Sequence, residues 1–163
     1  MNLTAQSLVQ IFERDLTKLE GEIKLFSSDA SLWKTFGDVK NPAGNLCLHL
    51  CGNLQYYIGA ILGGSAYVRN RDLEFAAKNV PRETLVQEIR KAKTAVMETL
   101  PKLDSFMMEQ EYPLMVFEKT MTTTFFLIHL SAHFGYHLGQ VNYLRRLLPG
   151  FQASTPPKPG QTK

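Results

Sequence analysis

Apolar and polar positions alternate with a helical period over four long stretches of the chain. The first stretch runs from about Thr4 to Phe26, with apolar residues three or four positions apart and charged residues largely between them. The second runs from about Ala43 to Leu62, enters after Asn41-Pro42 and closes at Gly63-Gly64. It is apolar on almost every side, so we expect it to be buried on most sides.

The other two stretches lie in the second half of the chain. The third runs from about Pro81 to Met107, and Pro101 is expected to kink or interrupt it. The fourth runs from about Thr122, a capping candidate, to Leu148, before Pro149-Gly150. No stretch has a convincing strand pattern, so the sequence predicts an all-α fold of four long helices.

Two long connections separate the predicted helices. Ser27–Lys40 joins the first to the second, and Gly64–Val80 joins the second to the third. We expect both to be non-helical, and the second is long enough to cross the end of a helix bundle. Residues 1–152 are predicted to form a single domain, and residues 153–163, rich in Pro, Gly, Lys and Gln, a disordered tail.

Composition narrows the class of protein. The chain has 163 residues, of which 44% are hydrophobic and 20% charged, as in a globular domain. A net charge of +3 is too small and dispersed to indicate nucleic-acid binding. No segment approaches the roughly 20 apolar residues of a membrane span, and the N-terminus lacks the pattern of a signal peptide. A cytoplasmic location is therefore expected.

The four histidines are the main chemical signal. His129, His133 and His137 follow one another at intervals of four, so they share one face of the fourth helix. His133 and His137 are one turn apart, as two helical ligands of one ion need to be. His49, in the middle of the second helix, is the remaining histidine and a candidate third ligand. This pattern predicts a divalent metal site.

Polar residues accompany the histidines on both helices. Asn45, Asn53 and Tyr56 lie within about 40° of the direction of His49, and Gln140 shares the face of His133. Two polar stripes that face each other inside a bundle indicate a site. Asn53, Tyr56 and Gln140 are predicted to support the ligands or orient a substrate. His129 is a ligand in place of His137, a support for one, or a side chain packed one turn away.

Several other sites are excluded by spacing. Leu130 follows His129, so the helix has no His-Glu-x-x-His motif, and no Glu-x-x-His of a di-iron bundle occurs. Cys47 and Cys51 lie about 160° from His49 around the helix and are interpreted as small core residues. We also expect no carboxylate near the histidines, which leaves metal-activated water without a general base.

Two motifs carry a family resemblance. They are His133-Phe-Gly-Tyr-His137-Leu-Gly-Gln140 on the fourth helix and Asn45-Leu-Cys-Leu-His49-Leu-Cys-Gly-Asn53-Leu on the second. They resemble the signatures of the DinB/YfiT-like superfamily. The resemblance implies a four-helix bundle in up-down-down-up order, with Gly64–Val80 as the crossover. It also implies that His49, His133 and His137 hold nickel or zinc, and that the protein is a homodimer.

The same resemblance implies a function. Some members are transferases or isomerases that use a low-molecular-weight thiol, so a metal-dependent enzyme acting on a small molecule with such a thiol is expected. Two alternatives stay open at this point. One is a hydrolase in which the ion activates water, and the other is a metal-binding stress-response protein without catalysis.

Overall fold

The structure is a computed structural model that describes residues 2–148, and it is helical without a β-strand over that range. The predicted tail, residues 153–163, lies outside the described residues, and the predicted domain of residues 1–152 extends beyond them. The α-helices of the described range are α1 (Leu3–Lys24), α2 (Ala43–Leu54), α3 (Arg71–Ala76), α4 (Arg82–Thr99), α5 (Ser105–Glu109) and α6 (Thr123–Leu147). Shorter turns of 3₁₀-helix cover Ala30–Trp33 and Leu100–Lys102, and a π-helical segment, Gln55–Ala60, continues α2.

The four long helices begin and end close to the predicted positions, with one exception. The third predicted helix was expected to reach Met107, but α4 ends at Thr99. Pro101 has no N–H to donate, and the chain passes through a 3₁₀ turn instead. The Asp104 side chain then accepts a hydrogen bond from the Met107 N–H and starts α5.

The expectation that Gly64–Val80 is non-helical is wrong. It contains α3, a helix of six residues that is too short to show a periodic pattern. The Asn70 side chain caps its start by accepting a hydrogen bond from the Leu73 N–H. The Asn45 amide of α2 donates to the carbonyl oxygens of Glu74 and Ala77, at 2.8 and 2.9 Å. Asn45 therefore holds the end of α3 against α2.

The core is formed by the apolar faces of the four long helices. α1 packs against α4 and α6, and α2 packs against the same two helices. Almost every residue of α2 is buried, as its composition predicted. On α6, Phe134 lies edge-on to Phe12 of α1, with ring centroids 6.4 Å apart. Phe134 follows His133 directly, so this core contact fixes the rotation of α6 that turns its histidines toward α2.

Contacts at the helix ends show which termini meet. Arg82, at the start of α4, donates to the carbonyl oxygen of Phe26 after α1, at 2.9 Å. Asn142, near the end of α6, donates to Glu22 near the end of α1, at 2.8 Å. Tyr57, after the end of α2, packs on Phe126 at the start of α6.

Within the described residues, no helix combines the length and the apolar character needed to cross a membrane.

Candidate metal centre

Three histidines from two helices meet at one point of the structure. His49 lies on α2, and His133 and His137 lie one turn apart on α6. One ring nitrogen of each lies within 4.8 Å of the others, close enough to hold a metal ion. The three rings stand nearly perpendicular to one another, with interplanar angles of 74° to 88°. Their nitrogens therefore converge on a common centre.

The distance between the donors suits a transition-metal ion. The Nε2 atoms of His49 and His133 are 3.2 Å apart. Two nitrogens bound tetrahedrally to zinc at their usual bond length would be about 3.3 Å apart. Three imidazoles without a fourth protein ligand are typical of sites that keep a position for water or substrate. The donor set therefore fits zinc or nickel.

His129 is not one of these converging histidines. Its ring stacks on Phe126, with centroids 6.2 Å apart, and lies edge-on to Phe117 at 5.0 Å. It lies beside His133, with the two ring centroids 6.3 Å apart. Of the roles that the sequence left open for His129, the structure favours packing one turn away from the centre.

A buried carboxylate contacts His49 at Nδ1, the ring nitrogen that does not face His133. Glu74 of α3 places Oε2 at 3.0 Å from His49 Nδ1. The carboxylate, which only accepts, is the nearer partner of His49 Nδ1, and Arg69 Nη2 lies farther from it, at 3.3 Å. This favours the tautomer with the hydrogen on Nδ1, whose Nε2 presents a lone pair to the other histidines. Arg69 donates to both oxygens of Glu74, at 2.7 and 2.8 Å. The expectation of no carboxylate near the histidines is therefore wrong.

Gln140 holds His137 in the same way. His137 Nδ1 donates to Gln140 Oε1 at 2.6 Å, so Nε2 is the nitrogen left to face the centre. Gln140, predicted to support a ligand or orient a substrate, thus lies in contact with His137. Two of the three histidines thus have their tautomer and ring orientation set by a partner on the far nitrogen, as metal-binding histidines commonly do.

Gly52 makes room for Glu74. A Cβ atom at this position would lie 2.2 Å from Glu74 Oε1 and 3.3 Å from the Tyr67 hydroxyl oxygen. A glycine inside a buried helix is unfavourable for the helix itself. Its position, three residues after His49, was the signal in the sequence that another group approaches α2 here.

The histidines line a cavity of about 410 Å³. Aromatic side chains form much of its wall, together with arginine, asparagine and histidine side chains. Asn53 lines it as predicted, whereas Tyr57 takes the place predicted for Tyr56. The π-helical segment Gln55–Ala60 explains the difference, because its wider turn shifts the following side chains around the axis by about one position. The other lining residues are Asn41, Arg69, Arg71, Phe75, Val116, Phe117, Phe126, His129 and Leu130.

The surroundings favour the neutral form of His133 and His137. Burial, and then the neighbouring rings of His137, His49 and His129, lower the pKa of His133 to about 4. Burial also lowers the pKa of His137. For Glu74, burial alone would raise the pKa, but the hydrogen bonds from Arg69 and His49 outweigh it and lower the pKa. The site thus combines two neutral imidazoles on α6 with an ionised carboxylate beside His49.

Comparison with known proteins identifies a family. A family model described as "Protein of unknown function (DUF1572)" matches residues 4–155. The chain belongs to the DUF1572 family. The matched range includes α1 to α6, so the converging histidines and Glu74 all lie in the part that defines this family. The search of curated proteins found no match.

Replacing Gly52 by Ala should disturb the Glu74 contact. Ala in place of an exposed helical Gly raises stability by up to about 1 kcal/mol, so Gly135→Ala, where an added Cβ meets no atom within 4 Å, is the matched control. Gly52→Ala should instead lower the free energy of unfolding measured with urea. In nitrogen NMR spectra the signal of the His49 Nδ1–H should shift or broaden. A Gly52→Ala protein as stable as Gly135→Ala, with the His49 signal unchanged, would contradict this account.

The stability of the metal-free protein should fall as the pH falls. In the unfolded chain His133 titrates near its ordinary pKa of about 6.5. Between that pH and the folded-state pKa of about 4, the unfolded state binds more protons and is favoured. Urea unfolding at pH 7 and at pH 5 should therefore show a loss of stability at pH 5. The loss should be smaller in His133→Gln, and an equal loss in both proteins would count against the buried neutral His133.

Proposed function

We propose that this protein binds one divalent transition-metal ion, nickel or zinc, through His49, His133 and His137. We further propose that it is a DinB/YfiT-like metal-dependent enzyme, a transferase or isomerase that uses a low-molecular-weight thiol. The observation that carries the proposal is the convergence of three histidine nitrogens at the wall of a cavity. The homodimer, the small-molecule partners and the cytoplasmic location stay predictions.

We also propose the up-down-down-up order of a DinB-like four-helix bundle. The end of α1 meets the start of α4 and the end of α6, which supports α4 antiparallel and α6 parallel to α1. The end of α2 meets the start of α6, which supports α2 antiparallel to α6. The chain between α2 and α4 would then be the crossover, and it carries Arg69 and α3.

An enzyme fits the surroundings of the histidines better than a closed structural site. Phe117 and Arg71 line the cavity and are themselves exposed, so the cavity is open to solvent. His129 stays outside the converging set, and residues 2–148 supply no fourth ligand, so a coordination position would be open to water or substrate. An ion held there would lower the pKa of a thiol placed in that position and make it a nucleophile near neutral pH.

The protein's own residues favour the thiol over water. None of the residues lining the cavity within the described range is an Asp or a Glu, so a carboxylate general base is missing from the wall. Glu74 contacts the far nitrogen of His49 and is held there by Arg69. A thiol bound to the ion would lose its proton outright, whereas bound water would titrate near neutral pH and its attack would gain from a base.

Metal analysis of untagged protein tests the ligand assignment. Wild type should carry or take up about one nickel or zinc ion per chain, as a site of this donor set does. His49→Ala, His133→Ala and His137→Ala should each lose it, and His129→Ala is the matched control that should keep it. Equal metal content in all five proteins, or none in wild type, would overturn the proposal.

Cobalt substitution tests the thiol route. In protein loaded with Co²⁺ in place of the native ion, a thiol that binds as thiolate adds an intense near-ultraviolet charge-transfer band. Cysteine or glutathione should produce this band, and their S-methyl derivatives should not. Loaded protein that gives no such band with any low-molecular-weight thiol would leave metal binding intact but argue against the thiol cosubstrate.

A further inference from the structure

Two side chains of the cavity wall, Arg71 and Asn53, have polar groups that the site described so far does not use. Arg69 and Arg71 both line the cavity, but only Arg69 is paired, with Glu74. Arg71 lies over the ring of Phe75, its Cζ atom 5.3 Å from the centroid. Within residues 2–148 it makes no ion pair or hydrogen bond. An arginine held over an aromatic ring has a restricted guanidinium that remains free to bind an anion.

Asn53 gives a second and independent indication of a ligand. Its side chain is 7% exposed, and its Oδ1 atom is buried without accepting a hydrogen bond from the described residues. A buried acceptor without a donor is unfavourable, by about 1–3 kcal/mol. Because Asn53 lines the same cavity, a donor on a ligand would satisfy it.

The charge around the cavity has one sign. Glu74 and Arg69 neutralise each other, and the lining residues of the described range include no acidic side chain. The positive charge of Arg71 is therefore not balanced by an acidic side chain of the described wall, and a divalent ion on the three histidines would add to it. Such a cavity attracts a negatively charged molecule.

The walls also restrict the shape of that molecule. Phe75, Phe117 and Phe126 line the cavity, and aromatic side chains of this kind favour a flat apolar body. A volume of about 410 Å³ suits a small molecule rather than a polymer. A single free guanidinium matches a carboxylate, which it can bind through two parallel hydrogen bonds.

We infer that the cavity binds a small organic carboxylate with an aromatic or other planar apolar body. Arg71 binds the carboxylate, the aromatic wall contacts the body, and Asn53 Oδ1 accepts a hydrogen bond from an N–H or O–H of the molecule. The inference deepens the proposed function and rests on it, since it names the substrate class of the same site. Arg71 thereby becomes a residue that determines specificity.

The test compares carboxylates with their neutral amides. Benzoate, phenylacetate and cinnamate, and the three corresponding amides, are titrated into nitrogen-15-labelled protein, both zinc-loaded and metal-free, and binding is followed by NMR. At least one carboxylate should bind about tenfold more tightly than its amide, the difference expected of a charge-assisted pair of hydrogen bonds. The Arg71 Nε–H signal should shift on binding.

Two variants identify the residue responsible. Arg71→Gln should reduce the preference for the carboxylate to about twofold or less while the zinc content stays that of wild type. Arg146→Gln removes an exposed arginine that does not line this cavity, and it should keep the preference. The inference is overturned if Arg71→Gln keeps the preference, or if wild type prefers no carboxylate over its amide.

Failure of the proposed function gives a different result. A protein that takes up no metal fails the metal analysis, yet the metal-free titration still compares carboxylates with amides at Arg71. A carboxylate that binds through the ion alone keeps its preference in Arg71→Gln and loses it in the metal-free protein. That result retains the metal site and overturns the carboxylate site.

Discussion

The candidate centre depends on one buried ion pair. The side chains of Arg69 and Glu74 are 9% and 7% exposed, and Arg69 donates to both carboxylate oxygens. Removing one member of a buried pair commonly costs about 3–5 kcal/mol, well above the roughly 1 kcal/mol of an ordinary hydrogen bond. Glu74 therefore has little freedom to leave this position. Because its second oxygen also receives the His49 Nδ1–H, the ion pair fixes the direction in which His49 presents its other nitrogen.

The ion pair between Arg69 and Glu74 requires that α3 pack closely against α2. Gly52 leaves room for the carboxylate, and Asn45 binds the last carbonyl oxygens of α3. Taken alone, Gly52 is an unfavourable choice for the interior of a helix, and Asn45, in the first turn of α2, is a weak helix former. Their presence on one helix, on either side of His49, is explained by the need to dock a short helix that has little apolar surface of its own. The same helix then widens into a π-turn that brings Tyr57 to the cavity.

The sequence predicted the parts of this arrangement that follow a regular helical period. Four long helices, the shared face of His133 and His137, and the inward direction of His49 all depend on a constant rotation per residue. What it missed depends on departures from that rotation or on contacts distant in the chain. The π-turn exchanged Tyr56 for Tyr57, and a six-residue helix brought Glu74 to a histidine 25 residues earlier. The available signals were the Asn70 cap, Gly52 and Asn45. These are single residues, so no periodic pattern along the sequence reveals them.

The distribution of charge connects the support of the histidines to the choice of ligand. Glu74 makes His49 a stronger metal ligand. Its negative charge would also repel an anion from the cavity. Arg69 resolves this conflict, because it neutralises Glu74 and lies 5.4 Å over the ring of Tyr57. The second arginine, two residues later, keeps its charge for the cavity. One short segment after α2 thus supplies a carboxylate that supports His49 and still leaves the cavity positive, as the proposed binding of a carboxylate beside a metal ion requires.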